Sequence, residues 1–127
     1  MTLDANPAME PDIVARVPPI PLPDESCEAV YCSHLLEHLE SDEASALIAE
    51  VWRVLTVGGE VEFCTPYALS PMAFQDPTHR SYWVPERFAY YTNKYAYLAY
   101  GLETRFELVT LGMVAWEVQA TMRKVSA

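Results

Sequence analysis

The sequence is short of basic residues, of paired cysteines and of glycine. Eight lysines and arginines stand against eighteen acidic residues, a formal net charge of −10. A chain of that charge repels phosphate backbones at long range, and its one adjacent basic pair, Arg123-Lys124, makes no basic patch. A nucleic-acid partner is therefore not expected. The three cysteines, Cys27, Cys32 and Cys64, show no C-x-x-C spacing. That excludes a disulfide framework and fits a reducing compartment. No apolar run reaches the length of a membrane span. The start, "MTLDANPAMEPD", carries neither a basic segment nor an apolar one, so neither membrane nor signal peptide is expected and a cytoplasmic location is the default. There is no internal repeat or low-complexity tract.

What is present is a chain of 127 residues, about half of them apolar, enough for one domain with a core. Six of its ten prolines fall in residues 1–24. Proline removes a backbone donor and disfavours helix, so 1–24 is expected to be extended, with only "DIVARV" (12–17) offering a short strand. The α/β core is expected over 25–124. "CEAVYC" (27–32) reads as a buried strand. "DEASALIAEVWRVL" (42–55) places Ala44, Leu47, Ile48, Val51 and Leu55 on one helical face, with Ser41 as cap and Gly58-Gly59 beyond its end. "EVEFCT" (60–65) alternates as a strand does. Residues 66–84 form a long loop. Pro85 opens a helix to about Tyr100, stopped by Gly101. "RFELVTL" (105–111) and "VAWEVQATMRK" (114–124) form an antiparallel hairpin around Gly112. The order predicts an α/β fold with an antiparallel edge.

Between the first strand and the helix stands "HLLEH", His34 to His38. Two histidines with a glutamate at this spacing fit a zinc hydrolase, Glu37 serving as general base, with Glu103 or Glu107 as a third ligand. That motif belongs within a helix, whereas here it begins directly after a strand. The duller reading is local hydrogen bonding that caps a turn. In the long loop, Asp76, Thr78, His79 and Tyr82 are candidates for a substrate lid, or simply for a turn set by Asp76-Pro77. Tyr90, Tyr91, Tyr95, Tyr97 and Tyr100 would form an aromatic helix surface, as core, as a substrate pocket wall or as a dimer interface.

The flanks of that motif resemble the second half of a class I S-adenosylmethionine-dependent methyltransferase of type 11. Leu22-Pro23-Asp24-Glu25-Ser26-Cys27-Glu28-Ala29-Val30 is similar to the lead into that family's fourth strand. His34-Leu35-Leu36-Glu37-His38 is similar to the segment after it, and Arg53-Val54-Leu55-Thr56-Val57-Gly58-Gly59 to the approach to the fifth strand. "DPTHRSYWVPERFAYY" (76–91) resembles a segment beyond the fifth strand, and "TLDANP" (2–7) the end of the second. The match covers roughly residues 2–122. Arg16, Glu28 and Thr56-Val57 depart from the family's usual acid, aspartate and Lys-Pro.

The resemblance implies an incomplete Rossmann-like fold, a mixed sheet flanked by helices. It implies S-adenosylmethionine as cofactor, with Asp4 at the ribose, Arg16 and Val17 near the adenine, and Ser33 and His34 at the methionyl end. His34 and His38 would be the catalytic pair, His79 and Tyr82 substrate contacts, with no metal. In this family a first strand and a glycine-rich loop precede the second strand, and neither is in this sequence. The edge of strand 27–32 then needs cover. "DIVARV" could pair against it, two copies could associate as a homodimer, or a partner chain could supply a strand. Two functions follow: methyl transfer to a small molecule when another chain completes the site, or a non-catalytic methyltransferase-like binding or regulatory subunit.

Overall fold

The computed structural model describes residues 1–93 and 104–126. Among the described residues there are two α-helices and six strands, the strands forming a four-stranded sheet and a separate two-stranded one. The small sheet holds β1 (Leu3–Asp4) and β2 (Ile13–Val14), paired in parallel. The large sheet runs in the order β3-β4-β6-β5. Its members are β3 (Cys27–Ser33), β4 (Leu55–Pro66), β5 (Phe106–Val114) and β6 (Glu117–Lys124). β3 and β4 are parallel; β4 with β6, and β6 with β5, are antiparallel. This is the mixed α/β sheet with an antiparallel edge that the sequence implies.

The crossover between the parallel strands is α1 (Ser41–Val54). It buries Ala44, Leu47, Ile48 and Val51 of the expected apolar stripe together with Val54, whereas Leu55, expected on that stripe, is already the first residue of β4. Each of its larger aliphatic side chains contributes about 2 kcal/mol by leaving water. Ser41 is its first residue rather than its cap. The cap is Glu40, whose N–H is accepted by the Glu43 carboxylate at 3.4 Å.

The strand after α1 starts earlier than alternation suggests. Leu55 already pairs with Cys27, and the next partner of β3, Ala29, faces Glu60. Residues 56–59 are thus an extra stretch of β4 between two positions paired with β3. Gly58 adopts φ +85°, and a Cβ on Gly59 would come within 2.9 Å of the Glu28 and Thr56 carbonyls. The glycine pair therefore serves a bulge, not a plain helix exit. The hairpin turn also moves. Gly112 lies inside β5 opposite Gln119, and the chain turns at Ala115-Trp116 with Ala115 at φ +54°.

Residues 66–84 are held down despite their length. Tyr67 bridges to Trp83, the Ala68 N–H donates to the Trp83 carbonyl at 2.7 Å, and a short helix α2 (Pro71–Phe74) sits between. Trp83 is buried. The helix expected from Pro85 appears as a 3-10 segment, Pro85–Tyr91. Its continuation through Tyr95, Tyr97, Tyr100 and Gly101 lies outside the described residues.

Of the three covers named for the edge of strand 27–32, pairing with "DIVARV" does not occur among the described residues. Ile13 and Val14 pair with Leu3 and Asp4 instead, and β3 meets only β4 among the described strands.

Candidate functional site

The gap between the two sheets is a cavity of about 730 Å³. Asp4, Arg16 and Val17 reach it from the small sheet and its exit. Ser33, His34 and His38 reach it from the carboxyl end of β3, where open α/β sheets bind ligands. Of the sequence-derived candidates, these six therefore line one space. His79 and Tyr82 do not line it. Tyr82 is exposed and stacks on Phe74 at 4.7 Å, and His79 packs edge-on against His38, ring centroids 4.9 Å apart. Tyr91 is buried and its hydroxyl lies 2.8 Å from the Ser45 hydroxyl, whereas Tyr90 is exposed.

Asp4 closes β1, and its Oδ1 accepts the Asn6 N–H at 2.8 Å. Its other oxygen takes no side-chain hydrogen bond among the described residues. The proline-rich segment that carries Val17 back toward the sheet is pinned by Arg53. The guanidinium donates to the Leu22 and Ile20 carbonyls at 2.9 and 2.8 Å, and to Asp24 and Glu50 at 2.7 Å. Hydrogen bonds from Arg53 hold the Glu50 carboxyl below the usual carboxylate range.

His34 takes a left-handed φ of +54° as the chain leaves β3, its N–H donating to the Cys64 carbonyl at 2.8 Å. That turn aims the ring between two carboxylates, Nδ1 3.3 Å from Glu37 and Nε2 2.8 Å from Glu117. A neutral imidazole carries one N–H and donates to one of them only. Glu37 is almost fully buried and also accepts from the Thr65 hydroxyl at 3.3 Å. Cys64 donates to Glu117 at 3.1 Å. Burial, then the Glu117 carboxylate, push the Cys64 thiol up to about 11.

Past His34 the chain forms a 3-10 turn, Leu36–His38, not an α-helix. Residues 78–83 dock on it. The Arg80 and Ser81 N–H groups donate to the Glu37 carbonyl at 2.6 and 3.1 Å, and the Ser81 hydroxyl to the Leu36 carbonyl at 2.8 Å. His38 Nδ1 lies 3.0 Å from the Thr78 hydroxyl, which itself donates to Asp76 at 2.7 Å. Thr78, donating from both hydroxyl and N–H, holds the Asp76 carboxyl below its usual range.

The paired-histidine zinc arrangement does not form. His34 gathers with Cys64 and Glu117, and His38 with Glu37 and His79, so the two histidines of the motif point into different groups. Glu107 is engaged by Arg123 at 2.5 Å, and Glu103 lies outside the described residues. Glu117 and Cys64 escaped the sequence reading. They meet His34 only through the β4–β6 register, which pairs Pro66 with Glu117. No local spacing reports that.

Residues 4–63 match the family described as "Methyltransferase domain". The fold is similar to a SAM-dependent methyltransferase from Archaeoglobus fulgidus, 18% identical, TM-score 0.57, covering 81% of this chain and 62% of that one. It is similar to a Burkholderia thailandensis 1,6-didemethyltoxoflavin-N1-methyltransferase solved with S-adenosylhomocysteine, 14% identical, TM-score 0.55, covering 81% and 46%. It is also similar to a Haloferax volcanii protein in complex with the Trm112 methyltransferase activator, 10% identical, TM-score 0.61, covering 84% and 58%. The chain thus spans about half to three fifths of these relatives. A comparison with curated protein sequences finds no match. The likeness to class I methyltransferases is carried by sequence over 4–63 and by fold over most of the chain.

Proposed function

We propose that this chain forms one wall of an S-adenosylmethionine cleft and supports methyl transfer to a small molecule when further polypeptide completes the site. The observation that carries the reading is the convergence of Asp4, Arg16, Val17, Ser33, His34 and His38 on one cavity at the carboxyl end of β3. Its volume of about 730 Å³ lies in the range that cofactors and drug-sized ligands occupy. The free oxygen of Asp4 suits a ribose hydroxyl. No glycine lines the cavity among the described residues, so the close backbone approach to the methionyl end must come from elsewhere.

The cofactor, when bound, supplies an electrophilic methyl group on sulfur. The chain's own residues bind and align; alignment of donor and acceptor is the larger part of such catalysis. His34 is fixed by Glu37 and Glu117 and orients the methionyl end. His38 is the open basic group. Thr78 spends its proton on Asp76, so His38 Nδ1–H donates to Thr78 and the Nε2 lone pair is left to accept from a substrate hydroxyl or amine. Tyr82 and His79, on the loop beside this turn, are the proposed substrate contacts.

Calorimetric titration of the chain with S-adenosylmethionine, with its mass measured in solution, tests this. Binding is expected, weakened about tenfold or more (about 1.4 kcal/mol) in Asp4→Ala. Well-folded protein giving no heat at any concentration would overturn the reading. It would favour the second one, a methyltransferase-like binding or regulatory subunit, which the edge of β3 that no described strand covers and the 68% exposed Tyr31 also support.

A further inference from the structure

The group formed by Glu37, His38 and His79 has the chemistry of a metal site that the motif itself does not describe. One ligand atom of each lies within 4.8 Å of the other two. Two imidazoles and a carboxylate are a donor set for divalent transition metals, which bind them at about 2.0–2.2 Å. Both rings are already oriented by outer partners. His38 Nδ1–H is spent on Thr78, which is spent on Asp76. His79 Nδ1 lies 2.8 Å from the Ala73 carbonyl, which can only accept, so that nitrogen carries the N–H. In each neutral ring the Nε2 lone pair is then the free one, the arrangement that outer-shell hydrogen bonds produce around bound metals.

The second observation is electrostatic. His79 Nε2 stands 3.5 Å from Asp76 Oδ2, so a lone pair faces a carboxylate. The Glu37 side chain is 3% exposed, and among the described residues no lysine or arginine pairs with it; its ring contact is His34 Nδ1 at 3.3 Å. Glu37 and the two rings thus lie close enough together to share one ion, with Asp76 beside His79 as an outer carboxylate. The other group differs. In His34, Cys64 and Glu117 the ligand atoms already bond one another, Cys64 and His34 both on Glu117, so that group is satisfied as it stands.

We infer that Glu37, His38 and His79 hold a divalent transition-metal ion, with Asp76 as an outer carboxylate, at the edge of the cavity. Where the methyl-transfer reading holds, the ion deepens it. It occupies the lone pair of His38 and takes over its task, lowering the pKa of an acceptor hydroxyl bound to it. The acceptor class would then be molecules with a hydroxyl able to ligate a metal. Binding of the ion itself does not depend on that reading.

The test is titration of metal-stripped protein with Co²⁺, followed by its visible d–d absorption and by metal content after desalting. One ion per chain is expected, bound at least tenfold more weakly in His79→Ala and in Glu37→Gln, and about tenfold more weakly in Thr78→Val, which removes only the partner of His38. Cys64→Ser, which touches Glu117 and not Glu37, should bind as the parent does. Circular dichroism identifies any variant that fails to fold, and Thr78→Val then decides. Folded protein that takes up no Co²⁺ overturns the inference. So does a sulfur-to-cobalt charge-transfer band abolished by Cys64→Ser, which would put the ion on the other group. Neither result bears on whether S-adenosylmethionine binds, which calorimetry reads separately.

Discussion

Cys32 and Cys64 illustrate how far burial alone sets a residue's chemistry. Both are buried, and burial pushes the Cys32 thiol up to about 12 and the Cys64 thiol up to about 11. The thiolate is the nucleophile, so a raised pKa leaves little of it near neutrality. Cys27 is only partly buried. At pH 8 alkylation by iodoacetamide, followed by intact mass, is expected to add one label rapidly at Cys27 and two only on unfolding. As pH climbs toward 11 the labelling of folded Cys64 should accelerate. Fast labelling of all three at pH 8 would mean that β3 and β4 open readily. At this scale the sequence was informative about residue type and silent about company. His34, Glu37 and His38 stand out as a motif, yet their partners Glu117, Cys64 and His79 come from β6, β4 and a docked loop. Such meetings depend on register and loop packing, which no local period encodes.

Among the elements, α1 and β6 were the most legible, because each buries one face. β6 alternates without a break, Val118, Ala120, Met122 and Lys124 inward, down to a buried lysine whose ammonium donates to the Leu55 carbonyl at 2.8 Å. The boundaries of β4 and the hairpin turn were not legible. Gly58-Gly59 and Gly112 mark punctuation without saying whether it is a bulge, a turn or a strand interior. Arg53 connects two elements that periodicity treats separately. It holds the proline-rich segment against α1 through two backbone carbonyls and two carboxylates. Replacing it by methionine keeps the stem and removes those bonds. The side chain is 30% exposed, so solvent screens part of the effect. A loss of about 2 kcal/mol is expected, less than the sum of the separate charged hydrogen bonds. Urea unfolding should show a lower midpoint at unchanged slope. Because the same segment presents Val17 to the cavity, the proposed cofactor binding should weaken in step with it. An unchanged midpoint would mean that the prolines hold the segment by themselves.

For the molecule as a whole, the telling feature is the separation of the two sheets. β1 and β2 pair with each other, and among the described strands β3 has one neighbour, β4, so the backbone groups of Cys27–Ser33 that β4 does not take are left toward the cavity. An unpaired edge next to apolar lining recruits another strand. Tyr31, 68% exposed on that edge, adds apolar area that water would otherwise meet. The chain on its own is therefore expected to self-associate, with a mass by light scattering that rises from monomer toward dimer with concentration. Tyr31→Lys, which places a charge on the edge, should move it back toward monomer. Amide exchange adds the discriminating detail: in the associated form the β3 amides not bonded to β4 should slow, whereas those of exposed β5 should not. A strict monomer at high concentration with fast-exchanging β3 amides would rule out self-pairing, leaving the edge to a strand from a different polypeptide. If cofactor binding then appears only when such a strand is supplied, one vacancy in the sheet explains both the exposed edge and the cavity, since the strand that covers β3 would also form the remaining wall of the cleft.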